Sequence, residues 1–185
     1  MPRVQFDPPA SCAISNFLTG SPYYVVRADR LTVTSRRLEE ITAICNEPEV
    51  YSWLFREPFD GKPYTPANAS AFVEWSSTGW REGSYFVFFV TTGDGEVAAA
   101  CDIKSNDTDG AEIGYWASAH HRGVMTNAVV QVRTLACQAG FRSLSARTKK
   151  PNERSARVLT RAGFAPEPGV DGDSSYNRFR INLVG

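Results

Sequence analysis

Two stretches of the chain constrain its fold most strongly, because each marks a helix that begins directly behind a strand. The first is His120–Ala128, centred on Gly123, and the second is Asn152–Phe164. Gly123 has no side chain, so a bulky anion can approach the backbone there. The helix that follows offers unpaired N–H groups and the positive end of its dipole. The first stretch therefore predicts a phosphate-binding helix start, with an ordinary amphipathic helix as the alternative.

The order of the remaining elements predicts a mixed sheet. Apolar residues recur at helical spacing from Val124 to Ala139, and Gly140 ends that helix. Other helices are predicted at residues 36–46, 48–55, 65–78 and after Asn152, and strands at 23–35 (most strongly at 31–33), 85–91, 96–104, 111–117, 143–148, around 164 and at 174–184. Strands that first meander and then alternate with helices indicate an α/β fold, an α+β mixed sheet with helices on both faces.

Length and composition exclude several classes of protein. The chain has 185 residues, enough for one domain. We place that domain at residues 23–185 and interpret residues 1–22, rich in proline, serine and small side chains, as an N-terminal extension. The 20 basic and 20 acidic residues give no net basic field, so nucleic acid is not an expected partner. No signal peptide or membrane span is predicted, so we expect a cytoplasmic protein without a membrane partner.

The side chains that commonly bind metals or form disulfides show no matching pattern. The four cysteines lie far apart in apolar surroundings and are predicted to be free and buried. They are Cys12, Cys45, Cys101 and Cys137. His120 and His121 are the only histidines and lack further ligands at a suitable spacing. No metal site is therefore expected.

Both helix starts match motifs of a known enzyme superfamily. In the first, Gly123 occupies the fixed glycine of the pattern Gln/Arg-x-x-Gly-x-Gly/Ala, with His120 at its first position and Met125 at its last. The second pattern, Asn-x-x-Ser-x-x-Val-Leu-x-x-x-Gly-Phe, is matched at every fixed position, by Asn152, Ser155, Val158, Leu159, Gly163 and Phe164. With the strand Glu112–Trp116 ahead of them, these motifs resemble the GNAT superfamily of acetyl-CoA-dependent N-acetyltransferases, in particular the branch with the ribosomal-protein-alanine acetyltransferases.

This resemblance, which covers residues 29–184, implies a GNAT-like fold and acetyl-CoA as the acetyl donor. Its central sheet is mostly antiparallel and splays beside the strand Ala111–Ala117, which bulges at Gly114 so that freed backbone groups pair with the pantetheine arm. The cofactor-binding residues that it implies are Tyr115, Trp116, Ala117, Arg122, Gly123, Val124, Met125, Thr126, Asn152 and Ser155. It implies no metal.

The resemblance also implies two candidates for catalysis. Ser155 lies one helical turn after Asn152 and can donate a hydrogen bond to the leaving sulfur, with helix capping as its alternative role. The position four residues later, where many members of the superfamily carry a tyrosine that acts as an acid, is Leu159. Glu112 is the candidate base, on the strand beside the cofactor. An ordinary exposed carboxylate is the alternative for Glu112, and Asp102 is a second candidate for the base.

The function that the resemblance implies is transfer of an acetyl group from acetyl-CoA to a primary amine, by direct attack in a ternary complex. The acceptor is either a small molecule or a protein N-terminus. Aromatic residues between the first strand and the meander favour a small amine; they are Tyr51, Trp53, Phe55, Phe59, Tyr64, Trp75 and Trp80. A different class of function, a non-catalytic acyl-CoA-binding sensor or scaffold, stays open from the sequence. The expected state is a monomer or a homodimer.

Overall fold

One eight-stranded sheet organises the residues that the computed structural model describes, 6–167 and 175–183. Its strands are β1 (Ser11–Ser15), β2 (Pro22–Arg27), β3 (Phe86–Thr92), β4 (Val97–Ile103), β5 (Ala111–Ala117), β6 (Ser143–Lys149), β7 (Ala165–Glu167) and β8 (Tyr176–Asn182). They lie in the order β1-β2-β3-β4-β5-β6-β8-β7, and every neighbouring pair is antiparallel except β5 and β6. The predicted α/β fold with a mixed, mostly antiparallel sheet is confirmed.

Helices cover both faces of this sheet. They are α1 (Ser35–Cys45), α2 (Pro48–Val50, continued by a π-helical turn at Tyr51–Phe55), α3 (Pro66–Glu82), α4 (Val124–Gln138) and α5 (Glu153–Arg161). α1 and α3 pack on each other and on β4 and β3, while α4 packs on β1, β2, β4 and α5. Strands β3 and β4 are therefore buried on both faces, as the unbroken buried runs 86–91 and 97–101 show.

Local signals set the helix boundaries that surround the site. Thr34 caps α1 by accepting a hydrogen bond from the N–H of Arg37. Thr65 caps α3 in a capping box with Asn68. The helix α3 runs past its predicted end near residue 78 and stops at Gly83, whose φ of 62° is left-handed.

The N-terminal segment differs from its predicted role as an extension. Ser11–Ser15 pairs with β2 along its whole length and so supplies the edge strand of the sheet. Phe6 is buried in the core, with its ring against those of Trp80 and Phe86. A proline- and serine-rich sequence carries little strand signal by itself, and the strand forms because β2 offers it an unpaired edge. The parts of the predicted extension, domain and last strand at 1–5, 168–174 and 184–185 lie outside the described residues.

The first predicted strand, 23–35, is confirmed over residues 23–27 and wrong beyond them. Its strongest β pattern, Leu31–Val33, lies outside the strands, because β2 ends at Arg27 and a 3₁₀ turn follows at Ala28–Arg30. The neighbouring strand β3 pairs with β2 only as far as Arg27. β-branched residues favour a strand only where a partner strand is available, and none reaches Leu31–Val33 among the described strand pairs.

The cysteines are all free, but they are not all buried. Cys45 and Cys101 are buried as predicted, whereas Cys12 is half-buried and Cys137 is exposed. Cys137 lies on the solvent side of α4, where its Sγ donates to the carbonyl oxygen of Leu183 at 3.1 Å. Burial raises the pKa of the Cys101 thiol, which makes it an inert core residue.

Candidate active site

An opening between β5 and β6 is the main feature of the candidate site. The two parallel strands pair over three residues only, from Ala111 opposite Leu144 to Ile113 opposite Ala146. Beyond this point, over Gly114–Ala117, the edge of β5 that faces β6 pairs with no strand of the described residues. The predicted splay of the sheet is therefore confirmed. Free N–H and C=O groups on a strand edge bind an extended polar ligand as they would bind another strand.

A buried hydroxyl without a partner lies on the β6 side of this opening. Thr148 is on β6, two residues beyond Ala146, the last residue that pairs with β5. Thr148 is 4% exposed, and its Oγ1 has no hydrogen-bond partner among the described residues. A buried hydroxyl in this state costs free energy. The position is therefore suited to a ligand that supplies a donor or an acceptor.

Tyr115 joins β5 to the start of α5. Its hydroxyl lies 2.7 Å from the Oγ of Ser155 and 3.0 Å from the carbonyl oxygen of the same residue. Burial raises the pKa of Tyr115 above its ordinary value, although the hydrogen bond with Ser155 opposes this shift. Asn152 caps α5 by accepting a hydrogen bond from the N–H of Ser155 at 3.1 Å. Capping thus belongs to the Asn152 side chain, and the Ser155 hydroxyl is held by a tyrosine that the sequence had indicated only for its backbone.

The N-terminus of α4 receives no side-chain cap among the described residues. Thr34, Thr65 and Asn152 cap α1, α3 and α5, whereas Gly123 precedes α4 with a φ of 94° and no side chain to offer. The N–H groups of the first turn, at Val124–Thr126, can therefore bind an anion.

The turn between β1 and β2 holds this helix start in place. Asn16 donates from Nδ2 to the carbonyl oxygen of Arg122 at 2.9 Å. The N–H of Phe17 donates to the carbonyl oxygen of Gly123 at 3.1 Å. A β-carbon on Gly123 would collide with Oδ1 of Asn16 and lie 2.8 Å from Cγ of Leu18. The glycine is thus required by the contact with this turn and by its left-handed φ, in addition to any role toward a phosphate.

Glu47, between α1 and α2, binds the turn that connects β5 to α4. Its carboxylate accepts hydrogen bonds from the Oγ of Ser118 at 2.6 Å and from the N–H of Ala119 at 2.7 Å. The segment ahead of α4 is therefore fixed from two sides, by Glu47 and by the β1–β2 turn. No local pattern in the sequence indicates this role of Glu47, because Glu47 and Ser118 are 71 residues apart along the chain.

Of the two histidines, His121 packs near the same turn. The Nδ1 of His121 lies 2.9 Å from the hydroxyl of Tyr23, and its Nε2 lies 3.7 Å from the carboxylate of Glu96. His120 is exposed.

Among the described residues, no group of His, Cys, Asp and Glu side chains is placed to hold a metal ion. Within the same parts of the chain, no helix combines the length and the apolar character needed to cross a membrane.

Glu112 is enclosed by two cations. Its carboxylate forms ion pairs with Nζ of Lys104 at 2.5 Å and with Nε of Arg147 at 2.8 Å. Burial alone would raise the pKa of Glu112, but the hydrogen bonds and charges of Lys104 and Arg147 outweigh it and hold the pKa below its usual value. Glu112 also lies where β5 and β6 are still paired, opposite Ser145. As a candidate base it is less basic than an ordinary glutamate and set back from the opening.

Gly114 lies where the opening begins, but the prediction of a bulge at this residue is wrong. The β4–β5 register passes through Asp102 opposite Gly114 without a shift. The register shift lies instead between Val90 and Thr91, in the pairing of β3 with β4. A β-carbon on Gly114 would lie 2.8 Å from Oδ1 of Asp102 and 2.9 Å from Cε of Lys104. A side chain at position 114 would therefore have to displace the ends of those two side chains.

The remaining residues implied by the resemblance divide between the site and the core. Trp116 is 8% exposed and its ring packs against those of Phe72 and Phe89, so it can serve a ligand only through its backbone. Arg122 is exposed directly before the α4 start. The side chains of Val124–Thr126 are buried, so these residues also offer their backbone.

The family of the chain follows from comparison with known proteins. The sequence profile described as Acetyltransferase (GNAT) domain matches residues 30–165. Curated protein sequences give no significant match. RimJ from Mycobacterium smegmatis, solved with CoA-disulfide, superposes with a TM-score of 0.73 at 17% identity, over 98% of this chain and 90% of that one.

Two further solved structures have similar folds. The ribosomal-protein-S5-alanine acetyltransferase from Vibrio fischeri gives a TM-score of 0.69 at 17% identity, over 94% of this chain and 96% of that one. The microcin C7 self-immunity acetyltransferase MccE, solved with acetyl-CoA and AMP, gives a TM-score of 0.68 at 15% identity, over 90% of this chain and 98% of that one. Structural neighbours thus include ribosomal-protein acetyltransferases, consistent with the branch that the motifs resemble. Because the family profile spans most of its length, the chain belongs to the GNAT acetyltransferase family.

Proposed function

We propose that this chain transfers an acetyl group from acetyl-CoA to a primary amine, by direct attack of the amine on the thioester in a ternary complex. The observation that carries the proposal is the β5–β6 opening, together with Thr148 of β6, whose buried hydroxyl has no hydrogen-bond partner among the described residues. Relatives of the same fold have been solved with CoA-disulfide and with acetyl-CoA, which supports the choice of donor.

The opening matches the pantetheine arm of the donor in its chemistry. The arm is extended and carries amide groups, which can pair with the free strand edge at Gly114–Ala117. The Oγ1 of Thr148 can donate to or accept from one of these amides. The pyrophosphate fits the uncapped N–H groups at Val124–Thr126, beside the positive charge of Arg122. Tyr115, Trp116 and Ala117 would act in this arrangement through their backbone.

Ser155 is the proposed donor to the leaving group. Negative charge develops on sulfur as the C–S bond breaks, and a hydrogen-bond donor placed there lowers the barrier. The Oγ of Ser155 lies at the start of α5 and is held at 2.7 Å by the hydroxyl of Tyr115. Asn152 caps the same helix and fixes the backbone of Ser155. There are two candidates for the base. Glu112 is favoured by the resemblance to the family, since it lies on the strand β5 beside the cofactor site, and Asp102 lies on the neighbouring strand β4.

A small amine is the proposed acceptor. The rings of the segment after α2 pack on one another rather than lining an open groove, with centroids 4.9–5.9 Å apart among Phe55, Phe59 and Tyr64. Two ion pairs tie α2 and the segment after it to α5 and β6, Glu49–Arg154 and Glu57–Lys149. A segment fixed on both sides narrows the acceptor cleft, which favours a small amine over a protein N-terminus.

The proposal is tested by measuring thiol release from acetyl-CoA with a panel of small primary amines and of peptides with a free N-terminus. The expected result is amine-dependent thiol release, together with an acceptor whose mass increases by one acetyl group. Small amines are expected to give the higher kcat/KM.

Binding of acetyl-CoA is measured on the same samples by calorimetry. Tight binding without acceleration by any amine would identify a non-catalytic acyl-CoA-binding module. No binding at millimolar acetyl-CoA would refute the assigned donor site.

A further inference from the structure

We propose that Asp102, and not Glu112, is the general base that takes the proton from the attacking amine. The inference rests on the proposed function, since it assigns a role within the same acetyl transfer. Asp102 lies on β4, directly opposite Gly114 of β5. The family motifs do not include this position.

The carboxylate of Asp102 stands at the point where β5 and β6 part. Gly114 is the first residue of β5 beyond Ile113, the last to pair with β6. The N–H of Gly114 donates to Oδ1 of Asp102 at 2.7 Å. A side chain at position 114 would displace this carboxylate, because a β-carbon there would lie 2.8 Å from Oδ1. The fold thus holds the Asp102 carboxylate beside the backbone of Gly114, where the opening begins. The carbonyl of a thioester bound along β5 would lie there.

Asp102 also keeps the capacity to accept a proton, whereas Glu112 does not. Within the described parts of the chain, no ion pair reaches Asp102. The Nζ of Lys104, the nearest cation along β4, is bound to Glu112 at 2.5 Å. Arg147 occupies the other oxygen of Glu112 at 2.8 Å. A carboxylate with two cations on it binds a proton poorly, and displacing either cation would cost further free energy.

The charged groups that face Asp102 come from neighbouring strands. Burial is the largest effect and raises the pKa of Asp102; Glu112 on β5 adds to this, and Lys104 on β4 opposes it. Arg147 of β6 is engaged with Glu112, and β3 places the apolar Val87 opposite Asp102. Two carboxyl groups on one face thus have pKa values shifted in opposite directions, an arrangement that separates the base from the structural carboxylate. A base with a raised pKa is better matched to neutral pH.

The proposed step begins with the acceptor as a neutral amine. Its nitrogen attacks the carbonyl carbon of the thioester, so that an N–C bond forms and the C–S bond breaks. The proton lost by the nitrogen passes to the carboxylate of Asp102. The sulfur leaves as the thiolate of CoA, to which Ser155 donates a hydrogen bond. Asp102 then releases its proton to water and the thiolate takes one from solvent, which gives the neutral amide and the CoA thiol.

The test compares Asp102→Asn with Glu112→Gln in the whole chain, using the amine that the wild type accepts best. Asparagine keeps an oxygen acceptor for the N–H of Gly114 but is not a base. Asp102→Asn is expected to lower kcat by roughly 10²–10⁴-fold and to remove the inflection that Asp102 contributes to the acid limb of the kcat/KM pH profile, so that only the ionisation of the acceptor amine shapes that limb. Calorimetry is expected to show acetyl-CoA affinity close to that of the wild type. Glu112→Gln is expected to keep the inflection of Asp102.

Two outcomes would overturn the assignment while the proposed function stands. One is an Asp102→Asn variant that keeps both its rate and the enzyme's inflection in the acid limb, and the other is loss of that inflection in Glu112→Gln. A wild type that accepts no amine would remove the proposed function and this inference together. A ¹³C NMR titration of the wild-type carboxyl groups needs neither an acceptor nor a folded variant. Asp102 is expected to titrate at higher pH than Glu112, and the reverse order contradicts the proposal.

Discussion

At the scale of single residues, the hydroxyls of Tyr115 and Ser155 share a contact of 2.7 Å. Tyr115 has one proton, which can go to the Oγ or to the carbonyl oxygen of Ser155. When it goes to Oγ, the proton of Ser155 is free to point at a ligand; otherwise Ser155 can donate back to Tyr115. Burial raises the pKa of Tyr115 further above that of a free thiol, about 8.5, so proton transfer from Tyr115 to a leaving thiolate is unfavourable. In the proposed reaction Tyr115 would therefore orient the Ser155 donor rather than act as the acid.

This pairing predicts different losses for Ser155→Ala and Tyr115→Phe. Removing Ser155 removes a hydrogen bond to developing negative charge, worth about 1.5–3 kcal/mol, so kcat is expected to fall by roughly 10- to 100-fold. Tyr115→Phe keeps the donor but loses its orientation, so a smaller fall in kcat is expected. Steady-state kinetics with calorimetry of acetyl-CoA binding checks both, and affinity is expected to change little. An unchanged kcat in Ser155→Ala would restrict Ser155 to a structural role.

The unpartnered hydroxyl of Thr148 predicts opposite changes in stability and binding. Thr148→Val replaces a buried, unsatisfied hydroxyl by a methyl group of the same shape, which is expected to raise the free energy of unfolding by about 1 kcal/mol. If the hydroxyl pairs with the pantetheine arm, the same variant is expected to bind acetyl-CoA several-fold more weakly, since a net hydrogen bond is worth about 0.5–1.5 kcal/mol. Urea denaturation and calorimetry measure the two effects. Thr148→Ser is the control that keeps the hydroxyl, and equal affinities in all three proteins would exclude the contact.

At the scale of elements, the start of α4 depends on the β1–β2 turn. Gly123 and Gly140 lie before and after this helix with nearly equal left-handed φ values, 94° and 92°. A β-carbon on Gly140 would meet nothing within 4 Å, whereas one on Gly123 would meet Asn16 and Leu18. Substitutions at the two glycines can therefore distinguish the cost of backbone strain from the cost of losing the contact with the β1–β2 turn.

The alanine variants of these two glycines test that dependence. Gly140→Ala is expected to lower the free energy of unfolding by about 1–2 kcal/mol, the cost of a left-handed alanine. Gly123→Ala carries the same cost and a steric clash in addition, so a clearly larger loss is expected, together with weaker acetyl-CoA binding. Urea denaturation compares the two variants. Equal losses would show that the turn moves freely away from α4.

The ion pairs of Glu112 connect β4, β5 and β6 and predict a pH-dependent contribution to stability. Because the folded pKa of Glu112 lies below its usual value, its stabilising effect is present at neutral pH and is lost as the pH falls through that folded pKa. Glu112→Gln is expected to lower the free energy of unfolding slightly at neutral pH, since Lys104 and Arg147 are 47% and 49% exposed. Urea denaturation of the wild type and of Glu112→Gln is compared at neutral and at acid pH. The free energies of unfolding of the two proteins are expected to converge at acid pH. A difference that stays constant with pH would contradict the ion-pair contribution.

At the scale of the whole molecule, local signals explain the elements that the sequence predicted. The bounds of β5, Ala111–Ala117, and the cap of α5 at Asn152 agree with prediction, because a turn, a cap or a glycine marks each boundary. The splay was implied by the family motifs, and it is present. Periodicity placed α4 correctly, since its apolar face is buried over its whole length.

Contacts between distant residues explain what the sequence did not predict. Tyr115 and Ser155 are 40 residues apart, and Ser118 and Glu47 are 71 apart. No local pattern encodes such pairs. The edge strand β1 forms only because β2 is there to pair with it. Thr148 becomes notable only once β6 is known to part from β5 after Ala146. Its place at the candidate site could therefore be found only from the structure.

The position at which acetyl-CoA binds is most directly measured by two-dimensional amide NMR of the 20.4 kDa chain during titration with acetyl-CoA. If the β5–β6 opening is the donor site, the largest changes are expected at Gly114–Ala117, at Thr148 and in the first turn of α4 at Val124–Thr126. The edge strand β7 at Ala165–Glu167, separated from the opening by β6 and β8, is expected to change little. Binding that leaves Gly114–Ala117 and Val124–Thr126 unperturbed would contradict the assignment of this opening as the acetyl-CoA site.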